Sequence, residues 1–251
     1  MIIGRYLKEG KTFYGTPADD GTVRELTGSR PWELSPGNNV HPAARLRLLA
    51  PCQPGKIICV GLNYLDHAKE LGLPIPPEPI LFMKPPSAVI GPEEQIILPK
   101  ASRRVDYEAE LAVVLGKTAR NLKPDEALDY VLGYTCANDI TARDLQKKDG
   151  QWTRAKSFDT FLPLGPYIIM NHDPSNLSIT LNLNGDRKQH SNSANLIFNV
   201  PQLLWFISGI MTLDPGDVIL TGTPSGVGPL SSGDLVEVNI DSIGNLANRV
   251  I

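Results

Sequence analysis

The chain has 251 residues, 41% of them hydrophobic, enough for a sizeable core in one or two globular domains. Its net charge of −3 is small and no basic block occurs, which leaves nucleic-acid binding without support. No window of about 18 consecutive apolar residues exists, so no membrane association is expected, and the three cysteines (Cys52, Cys59 and Cys136), without a Cys-x-x-Cys pair, fit reduced thiols in a cytoplasmic protein.

Ile2 to Leu7, Thr12 to Thr16 and Thr22 to Leu26 are short strand candidates, separated by turns at Glu9-Gly10 and Asp20-Gly21. Pro31, Pro36, Gly37 and Pro42 break the chain after them. Such a unit is too small to hold a large core alone, so it should pack on the remainder of the chain. Leu46 to Ala50 and Lys56 to Val60 are apolar strands. Asn63 is placed to cap a short helix ending at Leu71, on which His67 and Glu70 share one face. A carboxylate three residues from an imidazole can orient and polarise it, as a general base requires; a solvated surface pair is the plain alternative. The prolines between Gly72 and Pro79 predict a stiff loop, then a strand over Ile80 to Lys84 and a short one over Gln95 to Leu98.

Arg104 to Gly116 reads as a single strand. Alternation puts Asp106, Glu108 and Glu110 on one face, with the run Ala-Val-Val-Leu behind them. Acids so close repel, and burial adds to the cost. A solvated strand face would relieve them, and so would a hard divalent cation, which takes oxygen ligands. Pro124 to Val131 predicts a helix with acids in its first turn, and Gly133 to Asp139 a buried strand ending on a further acid. Residues 140–146 then form a helical turn. Ser178 to Leu183 alternates into the turn Asn184-Gly185, with Arg187 to Ser191 returning; His172 and His190 have no partner at ligand spacing and are expected at the surface. Val200 to Thr212 predicts an apolar helix capped by Asn199. Gly222 to Gly228 is glycine-rich but lacks the Gly-Lys-Ser/Thr ending of a nucleotide loop; a backbone loop that binds a carboxylate, with Thr223 donating its hydroxyl, fits it better. Leu235 to Ile240 and Leu246 to Ile251 form a last strand pair.

Four motifs in one order, Glu108-x-Glu110, Asn138-Asp139-x-Thr-Ala-Arg143-Asp-x-Gln146, Lys156-Ser157-Phe158-Asp159 and Leu220-Thr-Gly222-Thr223-Pro-x-Gly-Val-Gly228, resemble the fumarylacetoacetate hydrolase family. The resemblance covers roughly residues 52 to 251. It implies a mainly β (α+β) fold: a mixed β-sandwich roll over 51–251, a small N-terminal antiparallel domain over 1–50, and a homodimer. It selects Glu108, Glu110 and Asp139 as ligands of one Mg2+ or Mn2+, where strand parity alone leaves Asp106 equally placed. It implies a lid helix with His67 and Glu70 as the catalytic pair and Lys156 beside them; Leu62 stands where an arginine is common. Arg143, Gln146, Thr223 and Gly222 would hold a 2-oxo acid, which can chelate the metal and pass through an enolate. The leading activity is hydrolysis of a C–C bond in an acylpyruvate-type 2,4-dioxo acid. Isomerisation of a 2-hydroxyhepta-2,4-diene-1,7-dioate-type substrate and oxaloacetate decarboxylation share that enolate. A catalytically silent metal-binding β protein is the alternative outside enzymes.

Overall fold

The computed structural model describes residues 1–251. Glu9 and Gly10 both take left-handed φ, 50° and 80°, and Gly21 does so at 77°. These reversals let β1 (Ile2–Lys8), β2 (Lys11–Pro17) and β3 (Thr22–Thr27) run antiparallel to one another in turn. A fourth strand, β4 (Ser35–Pro42), pairs with β3 where the prolines and Gly37 predicted a broken chain. It forms because it is the edge of the sheet, where Pro36 and Pro42 owe no donor to a further neighbour.

β1 also pairs with β5 (Arg47–Leu49) and with β14 (Leu162–Ile169), so residues 1–50 hang on the same twelve-stranded sheet as the rest of the chain. Beyond β14 the order is β12 (Val131–Asn138), β11 (Ala109–Leu115), β17 (Val218–Leu220), β6 (Ile57–Val60) and the edge strand β7 (Leu81–Lys84). The short β8 (Val89–Ile90) joins β14 off this path.

β11 is buried along its whole length, and its alternation feeds two cores. Leu111, Val113 and Leu115 enter one; Ala112 and Val114 enter the other. The first core is closed by a five-stranded sheet, β16 (Asp186–Asn192), β15 (Ser178–Leu183), β19 (Leu235–Ile240), β20 (Gly244–Val250) and β9 (Gln95–Ile96), and by helix α4 (Val200–Ile210). α4 starts at a capping box in which Asn199 and Gln202 satisfy each other's backbone N–H, and it buries Leu203, Leu204 and Ile207. The second core takes Ile3, Tyr14 and Leu26 from the N-terminal strands. The result is the mainly β sandwich roll that the motifs implied.

Two expectations about helices fail locally. The helix predicted over Pro124 to Val131 is only a 3-10 turn, Ala127–Tyr130. The Glu126 carboxylate folds back to accept from the Lys123 N–H, and β12 claims the backbone from Val131, so no room is left for a second turn. Asn63 does not cap the helix α1 (Leu65–Leu71); the N-cap is Tyr64, without a side-chain bond. Asn63 is buried and works as a staple, its Oδ1 accepting from Phe198 N (2.8 Å) and its Nδ2 donating to Thr221 O (2.7 Å).

Candidate active site

The strand read over 104–116 is two strands. β10 (Val105–Tyr107) belongs to a small sheet with β13 (Thr141–Ala142) and β18 (Gly228–Pro229), whereas β11 belongs to the main sheet. Glu108 sits at the break. Its N–H donates to Asn138 Oδ1 (2.9 Å), its carbonyl accepts from Asp139 N (2.8 Å), and the next N–H, of Ala109, donates to Gln189 Oε1 (2.9 Å). Two side-chain oxygens and one backbone N–H thus replace the ladder bonds the break would orphan.

This geometry brings Glu108, Glu110 and Asp139 together, all buried, with a carboxylate oxygen from each within 4.8 Å of the others. Asp106 turns elsewhere: its oxygens accept from Arg104 Nε (3.0 Å) and Arg143 Nε (2.9 Å). The alternation of a continuous strand could not separate it from the two glutamates; the break does.

The cations around the acids are unevenly shared. Lys156 Nζ lies 2.6 Å from Asp139 and 2.9 Å from Glu108, and Lys84 Nζ lies 2.6 Å from the other oxygen of Asp139. Arg143 Nη2 reaches Glu108, and its Nη1 donates to Gln146 Oε1 (2.7 Å). Burial raises the Glu108 carboxyl, but Lys156 and Arg143 outweigh it and hold it down to about 2. Glu110 pairs directly with no cation, and the charge of Lys156 offsets its burial only in part. Its one hydrogen-bond partner is the Gly222 N–H (2.6 Å). Burial, with Asp139 and Glu108 beside it, pushes its carboxyl well above the usual range. A buried carboxylate with no cation paired to it, in an all-oxygen cluster, is the charge that a hard divalent ion would neutralise, so the three acids fit a metal. Lys84 matters here although the sequence offered no role for it. A lysine ending an apolar strand before Pro85-Pro86 was the available signal.

α1 closes over the site. His67 Nδ1 meets Glu70 Oε2 at 2.9 Å, and the other Glu70 oxygen accepts from Gly226 N (3.1 Å). A carboxylate only accepts, so Nδ1 carries the proton and Nε2 is left as a base. Asp66 fastens the same helix by accepting from Ser191 Oγ (2.6 Å). Gly72 ends the helix with φ 63°. Helix α2 (Arg143–Asp149) carries Arg143, Gln146 and Lys147, and the short α3 (Thr153–Lys156) ends on buried Lys156. On the far wall Gly222, at φ 97°, brings the backbone against Asn63 and hands Thr223 to the cavity. The cavity, of about 350 Å3, is bounded by Glu108, Glu110, Lys156, Arg143, Thr223 and His67, with Leu71, Leu73, Phe82 and Trp152 as apolar walls. All ten sequence-predicted residues therefore border the cavity or touch a residue that does. His172 and His190 lie away from it, His190 exposed. Gln189 escaped the sequence reading, because a glutamine between Lys188 and His190 in a polar hairpin strand carries no chemical signal.

Residues 56–251 match the family model described as fumarylacetoacetate (FAA) hydrolase C-terminal, and residues 1–51 the one described as Rv2993c-like, N-terminal. The chain belongs to the fumarylacetoacetate hydrolase family. A protein of Archaeoglobus fulgidus is 54% identical over 250 residues, covering 100% of this chain and 96% of its own. A mitochondrial oxaloacetate tautomerase of Xenopus laevis is 45% identical over 231 residues, covering 87% of this chain and 72% of that protein. The structure of a 5-carboxymethyl-2-hydroxymuconate delta-isomerase from Mycobacterium smegmatis, 40% identical, superposes with a TM-score of 0.94 over 100% of this chain and 99% of that one. The protein is thus an enzyme of the fumarylacetoacetate hydrolase family, with an acidic triad able to hold a divalent metal. None of its helices is long and apolar enough to cross a membrane.

Proposed function

We propose that this enzyme moves a proton on a 2-oxo dicarboxylic acid, interconverting keto and enol or double-bond isomers, with Mg2+ or Mn2+ on Glu108, Glu110 and Asp139. The observation that carries the reading is His67, held by Glu70, lining the same cavity as Glu108 and Glu110 of the triad. The bound cation supplies Lewis-acid polarisation of the ketone, lowering the cost of an enolate. His67 Nε2 takes the proton from the carbon beside the ketone, the C–H pair becomes the new C=C bond, and the imidazolium returns the proton to oxygen or to a carbon further along. Glu70 steadies that imidazolium. Lys156 keeps a fixed positive charge beside the developing oxyanion. Thr223 donates to the first carboxylate, and Arg143 with Gln146 forms the wall next to it. Lys147 borders the cavity with no ion pair of its own, which suits a second carboxylate. Leu71 and Leu73 keep water out. The names of the tautomerase and the delta-isomerase support the reading.

Hydrolysis of an acylpyruvate is the second reading, since the same imidazole is placed to take a proton from water. The two part in D2O. With Mg2+ and oxaloacetate, the protein is expected to speed enol–keto conversion and carry deuterium into the methylene, and His67→Ala to lose roughly 10²–10⁴-fold of that rate. A parent inert on oxaloacetate and on dienedioates that cleaves an acylpyruvate to pyruvate would replace the first reading by the second.

A further inference from the structure

Gln189 is 1% exposed, on β16, and none of its polar atoms faces the cavity. Its amide orientation is fixed by chemistry. Oε1 meets the Ala109 N–H, which can only donate; Nε2 meets the Pro224 carbonyl at 2.8 Å, which can only accept. The amide therefore cannot be turned over, and its remaining N–H donates to Thr223 Oγ1 at 2.9 Å. Thr223 accepts there, and its own proton has no acceptor in the chain. The hydroxyl borders the cavity and is 6% exposed.

We propose that Gln189 is a positioning residue that makes Thr223 an obligatory donor toward the cavity, so that the site selects a ligand offering an acceptor, a carboxylate oxygen, at that point. A hydroxyl is otherwise indifferent, donating or accepting by rotation. Gln189 removes the choice before the ligand arrives, which spares the cost of turning the group on binding. The same amide holds Ala109 N, between the two metal-site glutamates. One side chain thus ties the carboxylate-reading hydroxyl to the strand break that carries the acids. The proposal rests on the reading that a 2-oxo acid occupies the cavity.

Oxalate, a non-reacting mimic of such an acid, is the probe, titrated calorimetrically at Mg2+ saturating for each variant. Gln189→Glu keeps the shape and the acceptor for Ala109 N but replaces the donor by an acceptor, so Thr223 turns to donate to it. We expect the oxalate Kd to rise about tenfold, the worth of one hydrogen bond to a charged group. Thr223→Val should give the same rise, Thr223→Ser almost none, and Gln189→Glu on top of Thr223→Val nothing further. A merely structural or electrostatic role predicts additive losses, and additivity or parent-like affinity in Gln189→Glu overturns the proposal. If that variant does not fold, Gln189→Met serves in the same cycle, with a smaller loss that must again vanish beside Thr223→Val. A parent that binds oxalate in this pattern yet turns over no 2-oxo acid would defeat the proposed function and leave the Gln189 assignment standing.

Discussion

Glu110 and Glu108 are two residues apart on one chain, yet their electrostatic settings are opposite. Glu108 is held ionised by Lys156 and Arg143, whereas Glu110 has one backbone N–H. A cation therefore repays Glu110 most, while Glu108 must share its charge. Removing either ligand charge leaves two acids for an ion that prefers several oxygen donors. Glu108→Gln is expected to weaken Mg2+ binding by more than the roughly 10–100-fold typical of losing an outer-sphere partner. Calorimetric titration of metal-free protein checks this, and parent-like binding would return the choice to Asp106. At this scale the sequence disclosed which acids were candidates, because carboxylates before an apolar run are costly wherever they lie. Asp106 was inseparable because parity assumes an unbroken strand, and Gln189 was invisible because its importance lies wholly in what it touches across 80 residues.

Helix α1 is fastened mainly by polar contacts at its rim. Ala68 is its single buried residue, while Leu65 and Leu71 are about half exposed. Glu70 to Gly226 and Asp66 to Ser191 hold it down, and each bond is shared with a side chain or loop that borders solvent. An element with little apolar burial opens at low cost. A closing of this helix would complete the site by placing His67 on the cavity that Glu108 and Glu110 line. Amide exchange across 64–72 is therefore expected to slow when oxalate and Mg2+ are added together. Exchange unchanged at saturating oxalate would remove the lid reading. The helix was legible from the spacing of His67 and Glu70 before the proline-rich loop. Its anchoring was not, because Asn63 looks like a cap from sequence and serves instead as a buried staple between distant loops.

For the whole molecule, the division into a unit over 1–50 and a unit over 51–251 is a statement about chain order more than about packing. β1 lies in register with β14, Ile2 opposite Ile169 and Ile3 opposite Ile168, and one core holds Ile3, Tyr14 and Leu26 with Leu162, Leu164 and Ile168. The local strands and turns of this region were readable from Gly10 and Gly21, but no local pattern names a partner about 160 residues away. The Trp32 ring also packs on Gly216, at the turn leading into β17 and the Gly222 loop, where an added Cβ would come within 2.5 Å. We therefore propose that the two segments unfold as one cooperative body. Ile3 is fully buried on the shared face, so Ile3→Ala should cost about 2–5 kcal/mol, the usual loss for emptying such a site. The decisive feature is where that loss is felt. Trp32 reports the N-terminal segment by fluorescence, and Trp152 and Trp205 report the remainder once Trp32 is replaced by phenylalanine. In urea, the parent and Ile3→Ala should each give coincident midpoints from both sets of tryptophans, shifted together by the substitution. If Ile3→Ala moved only the Trp32 transition, the N-terminal strands would be an independent unit resting on the sheet.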